Sequence, residues 1–258
     1  MCYHFPMKYE QLEGKNAVAE ALRGRRTPYE LLLSRSLRDD RTMREIIRQA
    51  NRRKVPITTL PREEIDRLAR TENHQGVILR LEPYRYTGFR RLKERLLEED
   101  EPPMLLLLDG VTDPHNLGSV IRTAGAAGVY AVILPRHRSA PLTPTVAHVA
   151  SGAVEHVTVC TVPNLAAVIE DLKQSGFWVV GADAAAEQTC YQADLTGRLA
   201  LVLGAEHSGL SRLVRESCDL LVSIPMRGRI ESLNVGVAAG VLVFEALRQR
   251  DEAVRPGS

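Results

Sequence analysis

MLLLLDGVTDPHNLGSVIRTAGAAGVYAVILP, residues 104–135, decides how the larger part of this chain folds. Met104 to Leu108 is apolar at every position and stops at Asp109 and Gly110. Small and apolar residues with helical spacing follow, and a second apolar run, Tyr130 to Pro135, closes the stretch. Strands that alternate apolar and polar residues face water on one side, whereas strands apolar throughout are covered on both. Strand–helix–strand alternation of this kind joins the strands in parallel.

Downstream the pattern continues. VTVCTV (157–162), a helix over Leu165–Gln174, FWVVGA (177–182), LALVLGAE (199–206) and LLVSIP (220–225) extend it. The expected fold of residues 104–258 is α/β, a mostly parallel sheet with helices on both faces. Upstream, residues 8–82 read as a smaller α/β module. Helices are expected over Asn16–Leu22, Thr42–Lys54 and Glu63–Ala69, with strands at Leu31–Leu33, Pro56–Leu60 and Gly76–Leu81. Between them EPYRYTGFRRLKERLLEEDEPP (82–103) is dense in charge and bracketed by Pro83, Gly88, Pro102 and Pro103. Residues 83–103 are therefore expected to be a semi-flexible linker, with an exposed helix over Phe89–Glu99.

Composition bounds the function. With 258 residues, 44% hydrophobic and 26% charged, the chain is of the soluble globular class and long enough for two cores. The start, MCYHFPMKYE, has no basic region followed by an apolar run, so neither a secretory signal nor a targeting segment is expected, and the protein is placed in the cytoplasm. Val235–Leu247, the most apolar stretch, is interrupted by Glu245 and falls short of the roughly 20 residues that cross a bilayer. Cys2, Cys160, Cys190 and Cys218 form no CxxC pair and read as reduced, small apolar residues rather than zinc ligands or disulfides. The net charge of +2 hides an asymmetry: residues 8–82 carry 17 Lys and Arg against 12 Asp and Glu, residues 83–258 carry 17 against 20. Arg23, Arg25, Arg26 and Arg52, Arg53, Lys54 have the clustering that follows a phosphate backbone, and also that of a solvated helix face.

In open α/β sheets ligands bind beyond the carboxyl ends of the strands, so the loops there carry the chemistry. In DGVTDPHNLGSVIRTAGAAG (109–128) Asn116 is placed to cap the following helix, and Arg122 is the one charged side chain between Asp113 and Arg136. Such a cation either snorkels to water or addresses an anion. In LGAEHSGLS (203–211) Gly204 permits a sharp turn and lets a ligand approach the main chain, and Glu206, the one acidic or basic side chain between Arg198 and Arg212, reads by itself as a charge near a helix N-terminus. In SIPMRGRIESLNVGVAAGVLVFEAL (223–247) the loop carries Arg227 and Arg229, and Ser232 or Asn234 caps a last helix apolar enough to need burial in its own core or against a second subunit. No GxGxxG follows a strand, which argues against a nicotinamide-dependent oxidoreductase, and Ser208 lacks the GxSxG frame of a serine hydrolase.

Together DPHNLGSVIRTA, LVLGAEHSGL and SIPMRGRIESLNVGVA resemble, in order and position, the three signature motifs of the SpoU (TrmH) family of RNA 2′-O-ribose methyltransferases. GKNAVAEAL (14–22) and HQGV (74–77) are similar to that family's RNA-binding domain, so the resemblance spans nearly the whole chain. It is strongest to the branch that methylates a guanosine of 23S ribosomal RNA. The resemblance implies S-adenosyl-L-methionine as methyl donor, no metal, and a homodimer joined through a C-terminal domain threaded into a trefoil knot. It implies an L30e-like N-terminal domain, and an RNA partner that is 23S rRNA or a large-subunit assembly intermediate. The implied catalytic residues are Asn116, Arg122, Glu206, Ser232 and Asn234; the donor contacts are Leu203, Gly204, Ile224, Met226 and Leu233. Asn116 and Asn234 would orient the arginine and the ribose, Ser232 would hold the loop or the sugar, and Glu206 would fix its loop through main-chain donors. His115 and His207 are read as structural or peripheral. The alternatives are transfer RNA or another ribosomal nucleotide as substrate, or a non-catalytic RNA-binding protein on the same scaffold.

Overall fold

Six buried strands run in parallel through the larger unit, as their apolar sequences require. The structure, a computed structural model, describes residues 9–228 and 232–254. Cys2 and Arg229 lie outside the described residues. Two units are present: one takes the chain up to Arg85 together with Leu142–His156, the other Tyr86–Pro141 together with the chain from Val157 onward.

The first unit is built on β1 (Glu10–Glu13), α1 (Lys15–Arg23), β2 (Pro28–Ser34), α2 (Arg41–Arg52), β3 (Ile57–Leu60), α3 (Arg62–Leu68) and β4 (Val77–Leu81). The sheet order is β1-β4-β2-β3, antiparallel except for the parallel β2–β3 pair. All six expected elements are present, and β1 is an addition. Asp40 caps α2 by accepting the Met43 amide at 2.9 Å, and Met43, Ile46 and Ala50, one helical face, are buried. On the other side of the sheet Ile65 of α3 packs against Leu32 and Ile78.

Two clusters read as basic surface are partly internal wiring. The Arg53 guanidinium donates to the carbonyls of Ala21, Leu22, Gly24 and Arg26, closing the C-terminal end of α1. Arg26 is held between Glu10, at 2.6 Å, and Glu155. Arg23 pairs with Glu20 and Glu45.

Glu13 is 1% exposed and accepts hydrogen bonds from Gln11 Nε2, the amides of Arg70 and Thr71, and Thr71 Oγ1. Burial alone would raise its pKa, but these donors prevail and hold the carboxyl below its ordinary 4.5. The stabilisation it contributes is complete above the unfolded value and is lost as pH falls through the folded one. Acid unfolding of wild type should therefore show a loss of stability below about pH 4.5 that is smaller in Glu13→Gln, a variant already destabilised at neutral pH; equal acid sensitivity in urea titrations would refute it.

The second unit contains α4 (Phe89–Leu97), β5 (Met104–Asp109), α5 (Pro114–Ala126) and β6 (Ala131–Pro135); α6 (Pro144–Val149) follows in the segment assigned to the first unit. Then come β7 (Thr158–Val162), α7 (Leu165–Gln174), β8 (Trp178–Ala182), β9 (Leu199–Gly204), α8 (Arg212–Ser217), β10 (Leu220–Val222) and α9 (Val235–Val254). The sheet order is β10-β8-β9-β5-β6-β7, every pair parallel. Leu105 and Leu107 share a core with α4 and α7, while α5 and α9 pack together over the opposite face.

The spacer expected at 83–103 needs correction. The helix forms, but it is docked rather than exposed: Leu92 and Leu96 are 0% and 1% exposed and join the core of Leu105, Ile133 and Cys160. Lys93 pairs with Asp171, and the Thr87 amide donates to the Val159 carbonyl. The boundary between units falls at Arg85–Tyr86, and residues 142–156, expected with the second unit, pack with the first. There a Cβ on Gly14 (φ 89°) would meet the His148 ring at 3.1 Å, and one on Gly152 would overlap Glu20 at 2.4 Å. Cys160 and Cys190 are buried and Cys218 half-buried; burial pushes the Cys160 thiol up to about 11 and the Cys218 thiol up to about 12, so neither is nucleophilic near neutrality.

Candidate active site

Parallel strands deliver their following loops to one edge, and at that edge the segments after β5, β8, β9 and β10 meet. After β5, Asp113 caps α5 by accepting the His115 amide at 2.8 Å, with Pro114 at the first helical position. This corrects the expectation that Asn116 caps. Asn116 lies within the first turn, and its side chain points across to two other loops.

Asn116 Oδ1 accepts from Asn234 Nδ2 at 2.7 Å, and Asn116 Nδ2 donates to Glu206 Oε2 at 3.1 Å. Asn234 Nδ2 also reaches Glu206 Oε1 at 3.5 Å. Three residues drawn from three motifs thus form one hydrogen-bonded ring. Among the described residues Glu206 accepts from these two side-chain amides and from no main-chain donor. Asn234 also settles the choice of cap for α9, its Oδ1 accepting the Gly236 amide at 3.0 Å. If the ring acts as a unit, the costs of Asn116→Ala and Asn234→Ala on transfer rate will not add: a double-mutant cycle should return about 1 kcal/mol of coupling, and zero coupling would dissolve the ring as a functional object.

The β9 loop closes by backbone contact. Ala205 and Gly209 exchange two main-chain hydrogen bonds, at 2.9 and 3.2 Å, and lift Glu206, His207 and Ser208 to the tip. A Cβ on Gly204 would lie 2.1 Å from the Gly209 carbonyl carbon, so only glycine fits. Asp109, 4% exposed at the end of β5, accepts the Ser211 amide at 2.7 Å and fixes the far side of the loop.

Beside the ring lies a cleft of about 930 Å³, within the ~300–1,000 Å³ common for small-molecule sites. Leu203, Gly204, Ile224, Met226 and Leu233 all line it, with Glu206 and Ser232. The loop after β8, Ala182–Ala185, forms a further wall with Arg215, whose Nε donates to Asp183 at 2.8 Å. Sequence reasoning missed this wall, although FWVVGA ends at the same sheet edge as the motif strands. Arg122 stands apart: it is exposed on α5, does not line the cleft, and has no hydrogen-bond partner among the described residues. Six residues on from Asn116 at 3.6 per turn, it faces about 120° away.

Comparison with known proteins matches residues 103–244 to the SpoU rRNA Methylase family, more than half of the chain. The chain belongs to that family. Residues 11–87 match the RNA 2'-O ribose methyltransferase substrate binding family. The chain is 46% identical to the 23S rRNA (guanosine-2'-O-)-methyltransferase RlmB of Ralstonia nicotianae, covering 94% of this chain and 97% of that protein. It is 40% identical to the putative TrmH family tRNA/rRNA methyltransferase YacO of Bacillus subtilis, over 95% of this chain and 97% of the relative. Among solved structures, the SpoU methyltransferase AviRb of Streptomyces viridochromogenes in complex with AdoMet superposes with a TM-score of 0.77 at 26% identity, covering 94% and 90% of the two chains.

Proposed function

We propose that this SpoU-family chain transfers a methyl group from S-adenosylmethionine to the ribose 2′-hydroxyl of a guanosine in 23S ribosomal RNA. The observation that carries this is the meeting of Asn116, Glu206 and Asn234 beside a cleft walled by all five expected donor-contact residues. The cleft suits the cofactor: Leu203, Ile224, Met226 and Leu233 offer apolar faces to an adenine, and Gly204 leaves room for main-chain approach. When bound, the cofactor supplies a methyl group already activated on a sulfonium, so the protein's task is alignment.

Asn116 and Asn234 hold Glu206 and one another, which fixes the three loops that frame donor and acceptor. Ser232 lines the cleft, and its role in this reading is to hold the loop or the reacting sugar. The Arg122 guanidinium binds the phosphate next to the target ribose, stabilising charge that develops on the attacking oxygen. It is not the base.

The finer architecture follows the family resemblance. The C-terminal unit is a trefoil knot on the strength of that resemblance, and the 183–198 connection is fastened to it through main-chain bonds of Gln188 and Cys190 with Ser223 and through a bond from the Leu195 amide to the Gln249 side chain of α9. The front unit is an L30e-like domain that carries RNA. The enzyme is a cytoplasmic homodimer. No helix among the described residues is long and apolar enough to cross a membrane. One face of α9 is buried through Val235, Ala239, Leu242 and Val243, while Val237 and Phe244 on the other are 52% and 51% exposed. Such a stripe suits a second subunit. Phe244→Asp should shift the sedimentation coefficient from dimer to monomer; an unchanged value would move the interface elsewhere.

Methyl transfer from labelled S-adenosylmethionine to unmodified 23S rRNA, followed by nuclease mapping, tests the function. One 2′-O-methylated guanosine is expected. Transfer only to transfer RNA would favour the reading that the Bacillus relative's name suggests. Transfer only to a large-subunit precursor particle would make the assembly intermediate the substrate. Absence of cofactor binding would leave an RNA-binding protein without catalysis.

A further inference from the structure

With Arg23, Arg26 and Arg53 committed to partners inside the first unit, its RNA-facing surface must be sought elsewhere. The sequence of α2, RTMREIIRQANR, contains four arginines, no lysine and a single acidic residue. At 3.6 residues per turn Arg41, Arg44, Arg48 and Arg52 fall within about 80° of arc, spaced about 4.5–6 Å along the axis. That interval is close to the spacing of successive phosphates on an RNA strand. The opposite face, Met43, Ile46 and Ala50, is buried, so the arginine face is turned outward.

Little neutralises it. Arg44 and Arg48 are 70% and 73% exposed, and their partners are Asp39 and Glu45. The Arg44–Asp39 pair is exposed on both sides and therefore weak, and Glu45, 18% exposed, is shared by Arg48 with Arg23 and Gln49, so one carboxylate is divided among three donors. Arg41 and Arg52 have no hydrogen-bond or ion-pair partner among the described residues. The neighbouring α3 shows the ordinary alternative, two arginines against Glu63, Glu64 and Asp66. In α4 only part of the charge is free: Lys93 pairs with Asp171 and Arg95 lies over the Tyr130 ring, while Arg90 meets Glu94 only at 3.8 Å and Arg91 has no partner among the described residues.

We infer that the outward face of α2 is a phosphate-tracking rail: Arg41, Arg44, Arg48 and Arg52 bind consecutive phosphates of the RNA substrate and set how the front unit grips it. The inference rests on the RNA-methylating reading above. A guanidinium fork matches a phosphate and is less tightly hydrated than an ammonium, which fits a rail made of arginine alone.

Binding of the full chain to an unmodified 23S rRNA fragment, measured by filter retention across a salt series, tests it. The variant carries Arg41→Ala, Arg44→Ala, Arg48→Ala and Arg52→Ala, exposed changes that favour helix. Calorimetric binding of S-adenosylhomocysteine should match wild type and certify the fold. The slope of log K against log salt should shrink by about 3, and affinity at physiological salt should fall at least about tenfold. The matching four-lysine variant should keep the slope and lose part of the affinity. Unchanged slope and affinity in the alanine variant would overturn the rail. A wild type that binds no RNA would instead overturn the functional reading beneath it.

Discussion

Replacing Arg122 by alanine should lower methyl transfer about 10²–10³-fold while leaving cofactor affinity at the wild-type value. The split follows from position. Arg122 does not line the donor cleft, so its loss removes nothing from the cofactor's walls. Its guanidinium is exposed and free of hydrogen bonds among the described residues, which is how a side chain waits for an anion that arrives with the substrate. Arg122→Lys keeps the charge without the planar fork and should fall between the two. Single-turnover transfer and isothermal titration with S-adenosylhomocysteine separate the effects. Intact turnover in Arg122→Ala would remove the residue from the mechanism, and lost cofactor binding would make it part of the pocket instead.

The second large effect is expected at Gly204. Adding one methyl there places a carbon 2.1 Å from the Gly209 backbone, and no rotamer can relieve a clash with main chain. Either the hairpin from Ala205 to Gly209 opens or β9 shifts; both displace Glu206 and one wall of the cleft. Overpacking of this kind costs about 1–3 kcal/mol; where cofactor binding requires the undistorted loop, that is a loss in affinity of about five- to 150-fold. Gly228→Ala is the control, since nothing among the described residues lies within 4 Å of a Cβ there. Equal affinities of Gly204→Ala and wild type would mean that the loop is far more pliant than its geometry implies.

The parallel sheet was legible because Met104–Leu108, Ala131–Leu134 and Leu199–Leu203 are apolar at every step, a pattern that only two-sided burial satisfies. Docking of α4 was not. Leu92 and Leu96 make a narrow apolar stripe inside a run of charge, and counting anchors along the chain hides that both lie on one face. Residues 142–156 were misassigned because what holds them, Glu20 and Arg26, lies more than a hundred positions upstream. The α5 cap moved from Asn116 to Asp113 because two Asx residues stand three apart and Pro114 selects the earlier one. The residues of the site came from the family motifs; their joining into a ring is a property of loop ends that no local pattern encodes. The arginine face of α2 is invisible to runs of adjacent residues, because a helix collects on one face residues three and four apart.

Because the ring closes between Asn116 and Asn234, the proposed active centre has a birth time. A ribosome making this protein must extrude β5, β9 and β10 and then the beginning of α9 before the third loop can meet the first. Contacts this distant along the chain form late. A nascent or truncated product that stops short of Asn234 carries most of the sheet but no finished pocket, so catalytic competence should arrive as a single late event rather than accumulate with length.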